Sequence, residues 1–264
     1  MPGMTNPNPV LAPDDAQLVD TLEACNQRGG RMLSLIDLLE AGTVDLPLAA
    51  YLAALAQRGT AMLVGALPGG AGKTTVMGAV LNFLPRTTAI AVLDSPRALA
   101  NAASDLDCGR RCYLAHEIGP GRYYAYVWGA AAQTLFALAK AGHLIASNLH
   151  ADTLEQTYDQ LCGDNGVPRA HVLAVALKLF ISIDGRQRRV ARVYESDGRD
   201  EQLVWQHTAA GFVRVAPSRL VMRSDEACLQ AVLADLCARG VRTLAAVRAA
   251  LAPMPEKRAV ATKP

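Results

Sequence analysis

Lys73 and Thr74, directly after Gly72 in the stretch LPGGAGKTT, are the residues whose types and spacing most clearly do chemistry. They supply the last positions of the phosphate-loop pattern G-x-x-x-x-G-K-S/T, with Leu67 standing where that pattern has its first glycine. Pro68, Gly69, Gly70, Ala71 and Gly72 carry almost no side chain, so successive backbone N–H groups can close around phosphate oxygens. A helix starting near Lys73 adds the partial positive charge of its N-terminus at the same place. In such a loop Lys73 reaches the β- and γ-phosphates, the Thr74 hydroxyl sits on Mg²⁺, and Thr75 continues the cradle. The predicted ligands are therefore ATP and Mg²⁺.

Three further sets of residues have chemical potential. Asp94 ends the apolar, β-branched run 88–93 (TAIAVL), which reads as a buried parallel strand. There a carboxylate either holds Mg²⁺ through water, orients an attacking water, or simply caps the turn at Ser95-Pro96. His143 and His150 flank a second predicted strand, 143–148, and their odd separation places them on opposite faces of a regular strand. His150, at the strand's end, is the better placed to contact a phosphate, and each histidine also has an ordinary structural reading. Cys108-Gly-Arg-Arg-Cys112, with His116 four residues on, lacks an identifiable fourth zinc ligand and reads as thiols in a reducing cytoplasm.

The elements that must position these groups follow from patterning. At 264 residues, 51% hydrophobic and 19% charged, the chain can bury a large core. Its net charge of +2 argues neither for nor against a nucleic-acid partner, and none is predicted. The N-terminus has no basic segment followed by an apolar core. The charge-free run 123–139 is short for a membrane span and reads as buried core, so no transmembrane segment is expected. Residues 1–13 read as a disordered lead and 252–264 as a flexible tail. Between them the pattern predicts helices over 14–25, 33–39 and 46–56, forming an N-terminal helical unit (14–57). Helices over 135–141, 153–162 and 168–180 follow, and a helical pair over 225–239 and 241–251 closes the chain. Strands separated by helices predict a doubly wound α/β sheet, and the runs 189–194, 203–206 and 212–215 a small antiparallel appendage. The phosphate loop, Asp94 and His150 would then gather at the carboxyl ends of the parallel strands.

These residues resemble a family. Residues 142–152 (GHLIASNLHAD) look like the histidine box G-H-x-x-x-S/T-x-H-A of the type II/type IV secretion and pilus-assembly ATPases. LPGGAGKTT is similar to that family's phosphate loop, and Val92-Leu93-Asp94-Ser95-Pro96 to its acidic box I-E-D-P. Residues 33–44 and the last two helices resemble archaeal and tight-adherence members, so the likeness runs from about residue 28 to 251. The resemblance implies a RecA-like P-loop motor domain (58–251) in a hexameric ring, docked on a membrane platform protein at the cytoplasmic face. Nucleotide would lie between subunits, with Lys73 and Asp94 acting on it and His150 sensing its γ-phosphate. The chain departs from the family at the strand ending V-G-E-x-R: an ungapped count back from Gly142 puts Tyr126 at the glutamate and Trp128 at the arginine. On that count the strand itself is missing, 123–141 reads as one helix, and nothing places Glu117 at the phosphates. The family's N-terminal domain is absent or reduced to 14–57, leaving Arg122, Arg188 and Arg189 as arginines that could act across a subunit interface.

The leading functional expectation is an ATP-hydrolysing subunit of a secretion or pilus-type machine. The displaced glutamate motivates an alternative, a relative that binds ATP without hydrolysing it. A P-loop kinase is a third reading, which the histidine box disfavours.

Overall fold

The computed structural model describes residues 11–27, 29–104 and 109–251; the tail 252–264, Cys108 and most of the expected lead lie outside the described residues. Its organising strand is β1 (Met62–Gly65), buried at every position and feeding the Gly-rich turn that opens into α4 (Lys73–Leu81). The parallel part of the sheet also holds β2 (Ala89–Val92), β3 (Arg111–Ile118), the two-residue β4 (Tyr126–Val127), β5 (Leu144–Leu149) and β6 (Leu177–Asp184). β1 lies between β5 and β6, and β3 between β2 and β5, with β4 on the end of β3.

Alternation along these strands separates two cores. Met62, Val64, Cys112, Leu114, Leu144 and Ala146 face one helical layer, while Leu63, Tyr113, Ala115 and Ile145 face the other. The first layer is α1 (Pro13–Ala24), α2 (Leu35–Glu40), α3 (Leu46–Gln57), α4, α9 (Arg223–Ala238) and α10 (Leu244–Ala250). The second draws on α5 (Pro96–Ser104), α6 (Ala130–Lys140), α7 (Leu154–Tyr158) with the π-helical turn Asp159–Asp164, and α8 (Arg169–Leu173). The mixed α/β class, with a mostly parallel sheet covered by helices on both faces, is the one the sequence predicts. The helical starts are locally encoded: Ser34 and Asp37 form a capping box on α2, and Asp45 caps α3 with Pro47 in its first turn.

Several expectations are corrected. The run 168–180 is not one helix: α8 stops at Leu173, and Leu177 begins β6, a strand parallel to β1. Its Leu177, Leu179 and Ile181 alternate, and the ammonium of the intervening, buried Lys178 meets Glu201 at 2.6 Å and the Val175 carbonyl at 2.8 Å. β7 (Gln187–Ser196), β8 (Glu201–Thr208) and β9 (Gly211–Arg214) therefore continue the main sheet antiparallel from β6 rather than hanging from it. The span 123–141 is not continuous helix, because Gly129 at φ +58 breaks β4 from α6. Nor is 123–139 wholly core, since Tyr123 is 69% exposed. β3 occupies a stretch for which the patterning predicts neither strand nor helix. Among the described residues no helix is long and apolar enough to cross a membrane.

Candidate active site at the phosphate loop

Gly72 takes φ +90 as the N-cap of α4 and Gly70 takes φ +80, left-handed conformations that favour glycine. No side chain caps the first turn of α4, so its amides remain available to a ligand at the helix N-terminus. Gly65, where β1 enters the loop, has no room for a side chain: a Cβ there would come 2.4 Å from the Ala151 carbonyl oxygen and 2.8 Å from the Phe180 ring. That close approach of backbones sets how the loop leaves the sheet. Across it, the Leu67 amide donates to the Asp152 carboxylate at 2.8 Å, and His150 Nδ1 lies 3.3 Å from the Leu67 carbonyl oxygen.

The loop floors a cavity of about 780 Å³. Gly69 to Val76 line one side, Cys25–Gln27, Met32 and Leu33 from the α1–α2 connection another, and the β6–β7 hairpin a third. Lys73, 6% exposed, donates to the Ala66 carbonyl at 3.1 Å and to Glu117 Oε1 at 3.2 Å. Glu117 also accepts from the Tyr126 hydroxyl at 3.0 Å, and His150 Nε2 meets the same carboxylate. Burial, with the Glu117 charge second, pushes the Tyr126 phenol up to about 12, so it remains the donor of that pair. His116, stacked on the Tyr126 ring at 6.1 Å, has its pKa lowered, burial outweighing the attraction of Glu117. The Thr74 hydroxyl accepts from Asn148 Nδ2 at 3.0 Å, and among the described residues the fully buried Asn148 Oδ1 has no protein partner.

Glu117 arrives here through an irregularity. The β3–β5 register runs Ala115 to Ser147 and then Glu117 to Asn148, skipping His116. Such a bulge re-aims side chains. Here it turns both His116 and Glu117 into the cavity, where strict alternation would send them to opposite faces. This overturns the expectation that nothing places Glu117 near the phosphates and that the strand is missing. Tyr126, which the ungapped count put at the acid's position, is instead that acid's hydrogen-bond donor. The run CYLAHEI carries the signal, apolar residues leading to an acid near the carboxyl end of a strand.

The other predicted residues divide. Gly69, Gly70, Ala71, Gly72, Lys73, Thr74, Thr75 and His150 line the cavity, and Pro68 lies just outside its lining. Asp94 is exposed in the loop after β2 and does not line it. His143 is buried at the amino end of β5, the opposite end from the loop, with its Nδ1 3.4 Å from the Arg111 amide. Cys112 is buried on β3, away from the cavity lining. Arg186 and Arg188 also line the cavity; no sequence pattern marks Arg186, and Arg188 reads from sequence as a surface charge or as an arginine acting across a subunit interface.

The Thr74 hydroxyl, beside a buried lysine and the amides at the start of α4, suits Mg²⁺ with a polyphosphate. Neither a protein-family model nor a curated protein matches the chain. Among solved structures it is similar to the VirB11 ATPase from the Brucella suis type IV secretion system in complex with sulphate, at 21% identity, covering 61% of this chain and 54% of that one with a TM-score of 0.44. It is also similar to the Legionella pneumophila ATPase DotB, at 10% identity, covering 81% of this chain and 58% of that one with a TM-score of 0.36. The chain spans little more than half the length of each.

Proposed function

We propose that the chain binds and hydrolyses ATP as a motor subunit of a secretion or type IV pilus-like machine. The observation that carries the hydrolytic part is Glu117, a carboxylate at the end of β3 and 3.2 Å from the phosphate-loop lysine. The support for the machine is the resemblance of the loop, of the Asp94 segment and of residues 142–152 to that family. On this reading residues 58–251 form the motor and 14–57 a helical remnant of the domain that precedes it. The working form is a homo-oligomeric ring, hexameric by resemblance, bound to a membrane platform protein from the cytoplasmic side.

Lys73 has three N–H donors; two go to Ala66 and Glu117, leaving one for a phosphate oxygen. The loop amides and the α4 N-terminus hold the phosphates in place, which is the larger part of what phosphoryl transfer asks of a protein. Thr74 would hold Mg²⁺, whose charge would offset that of the polyphosphate. Glu117 accepts a proton from the attacking water, while Tyr126 and Lys73 fix the orientation of its carboxylate. His150, between the Leu67 carbonyl and Glu117, reports the state of the loop to the acid. Asp94 keeps its proposed role in holding the metal or orienting water only through movement of the loop after β2.

The three partners already on Glu117 favour a second reading, a subunit that grips ATP without cleaving it. Glu117→Gln separates the two. If Glu117 is the general base, turnover falls by about 10²–10⁴-fold with ATP affinity within about threefold of wild type. Equal turnover in wild type and Glu117→Gln would remove the hydrolytic assignment, and wild-type ATP binding by Lys73→Ala would remove the nucleotide site itself.

A further inference from the structure

β6 outruns the strand it pairs with. Its Leu177–Phe180 segment matches β1 residue for residue, and Ile181 to Asp184 then continue past the end of β1, a reach of about 13 Å. The chain reverses through a two-residue turn, Gly185-Arg186, because Asp184 pairs with Gln187; Gly185 supplies the positive φ, +58, that so tight a reversal needs. This hairpin is thus anchored in the sheet beside β1 and projects over the loop that β1 feeds. Its tip places Arg186, Gln187 and Arg188 in the cavity wall.

Arg188 already touches the loop. Its Nε donates to the Gly70 carbonyl at 3.0 Å, and its Cδ lies 3.6 Å from where a Cβ on Gly72 would be. Among the described residues its remaining guanidinium donors take no protein acceptor, and they sit above the turn whose amides would hold phosphate. Among the described residues the cavity lining carries Lys73, Arg186 and Arg188 against one carboxylate, Glu117. A cationic excess of this kind suits a ligand with more charge than one phosphate, and planar guanidinium donors match phosphoryl oxygens bidentately.

We propose that Arg188, seconded by Arg186, is a clamp for the terminal phosphoryl group, supplied by the same chain that holds the rest of the nucleotide. This rests on the nucleotide reading above and deepens it: the hairpin makes the site select triphosphate over diphosphate. Holding the Gly70 carbonyl fixes the loop's turn, and the free donors meet the oxygens that only a triphosphate presents. The role expected from sequence, an arginine reaching into a neighbour's site, is replaced by one within the subunit.

The test compares ATP and ADP dissociation constants, by competition against a fluorescent nucleotide, for wild type, Arg188→Ala, Arg188→Lys and Lys73→Ala. Arg188→Ala is expected to weaken ATP by at least about tenfold while leaving ADP within about threefold, with Arg188→Lys recovering part of the loss. Equal weakening of both nucleotides, or no change in their ratio, overturns the clamp; so does a wild-type protein that does not distinguish them. Loss of both nucleotides in Lys73→Ala shows the underlying site to be real, and its absence sinks that reading instead. Mixing Arg188→Ala with Lys73→Ala chains decides whose site Arg188 serves. Tight ATP sites reappearing in the mixture would assign Arg188 to a neighbour, and their failure to reappear supports action within the chain.

Discussion

A one-residue register skip at His116 puts Glu117, the site's acid, beside Lys73, and Tyr126 holds its second oxygen. Residues 119–129, which carry β4, lie between this acid and α6, so an ungapped count back from Gly142 reaches Tyr126 rather than Glu117. The cysteines show the same dependence on environment. Cys25 and Cys112 are buried, and burial pushes their thiols up to about 11 and about 12, so neither supplies the thiolate that reacts or binds metal at neutral pH. Cys228, on the outer face of α9, is exposed. We expect a disulfide reagent at pH 8 to modify Cys228 in the native protein and Cys25 and Cys112 only on unfolding, as peptide mass mapping of the products reads directly. Native labelling of Cys112 as fast as Cys228 would contradict its burial.

At the scale of elements, the β1–loop–α4 unit depends on the backbone contact at Gly65 as much as on the lysine. An alanine there must displace the Ala151 carbonyl or the Phe180 ring, and Ala151 belongs to the segment that carries His150 and Asp152. We expect Gly65→Ala to cost about 1–3 kcal/mol in urea unfolding and to weaken ATP binding as well, because it moves both sides of the loop's mouth. Unchanged stability would mean that β1 and the residue 151 turn can part freely. The helix–strand error over 168–180 belongs to this scale too. AHVLAVALKLF fits a helical period as well as an alternating one, and it takes Glu201 from β8, with the Val175 carbonyl, to make Lys178 acceptable in a buried strand.

Across the whole molecule, the two ends of the described chain meet on α4. Arg248 of α10, 3% exposed, donates to the Asp15 carboxylate of α1 at 2.7 Å and to the Asn82 carbonyl at 2.9 Å. It also donates to the Leu84 carbonyl beyond the end of α4. This one guanidinium thereby joins the N-terminal helices, the C-terminal pair and the base of the phosphate-loop helix. Among the described residues, Arg248→Met leaves the buried Asp15 with Arg86 as its one cation, at 3.3 Å, so we expect a loss of about 3 kcal/mol, part of which Asp15→Asn restores in the double variant. Thermal unfolding of the four proteins measures the coupling; strictly additive losses would show that the pair is not a unit.

The strand, glycine-rich turn and helix around Lys73, the alternation of strands and helices, and helices close to 33–39 and 46–56 are legible locally, because each depends on residues within a few positions of one another. Leu67 in place of a glycine did not hide the loop, since the strand before it and the helix after it supplied the same information. What only the tertiary structure decided is which distant groups meet that loop. Glu117 stands 44 positions from Lys73, and Arg188 stands 118 from Gly70. Their arrival depends on a strand order that puts β5 between β1 and β3, on a bulge, and on β6 being longer than β1. Those are properties of how the sheet is assembled, and no local pattern of side chains records them.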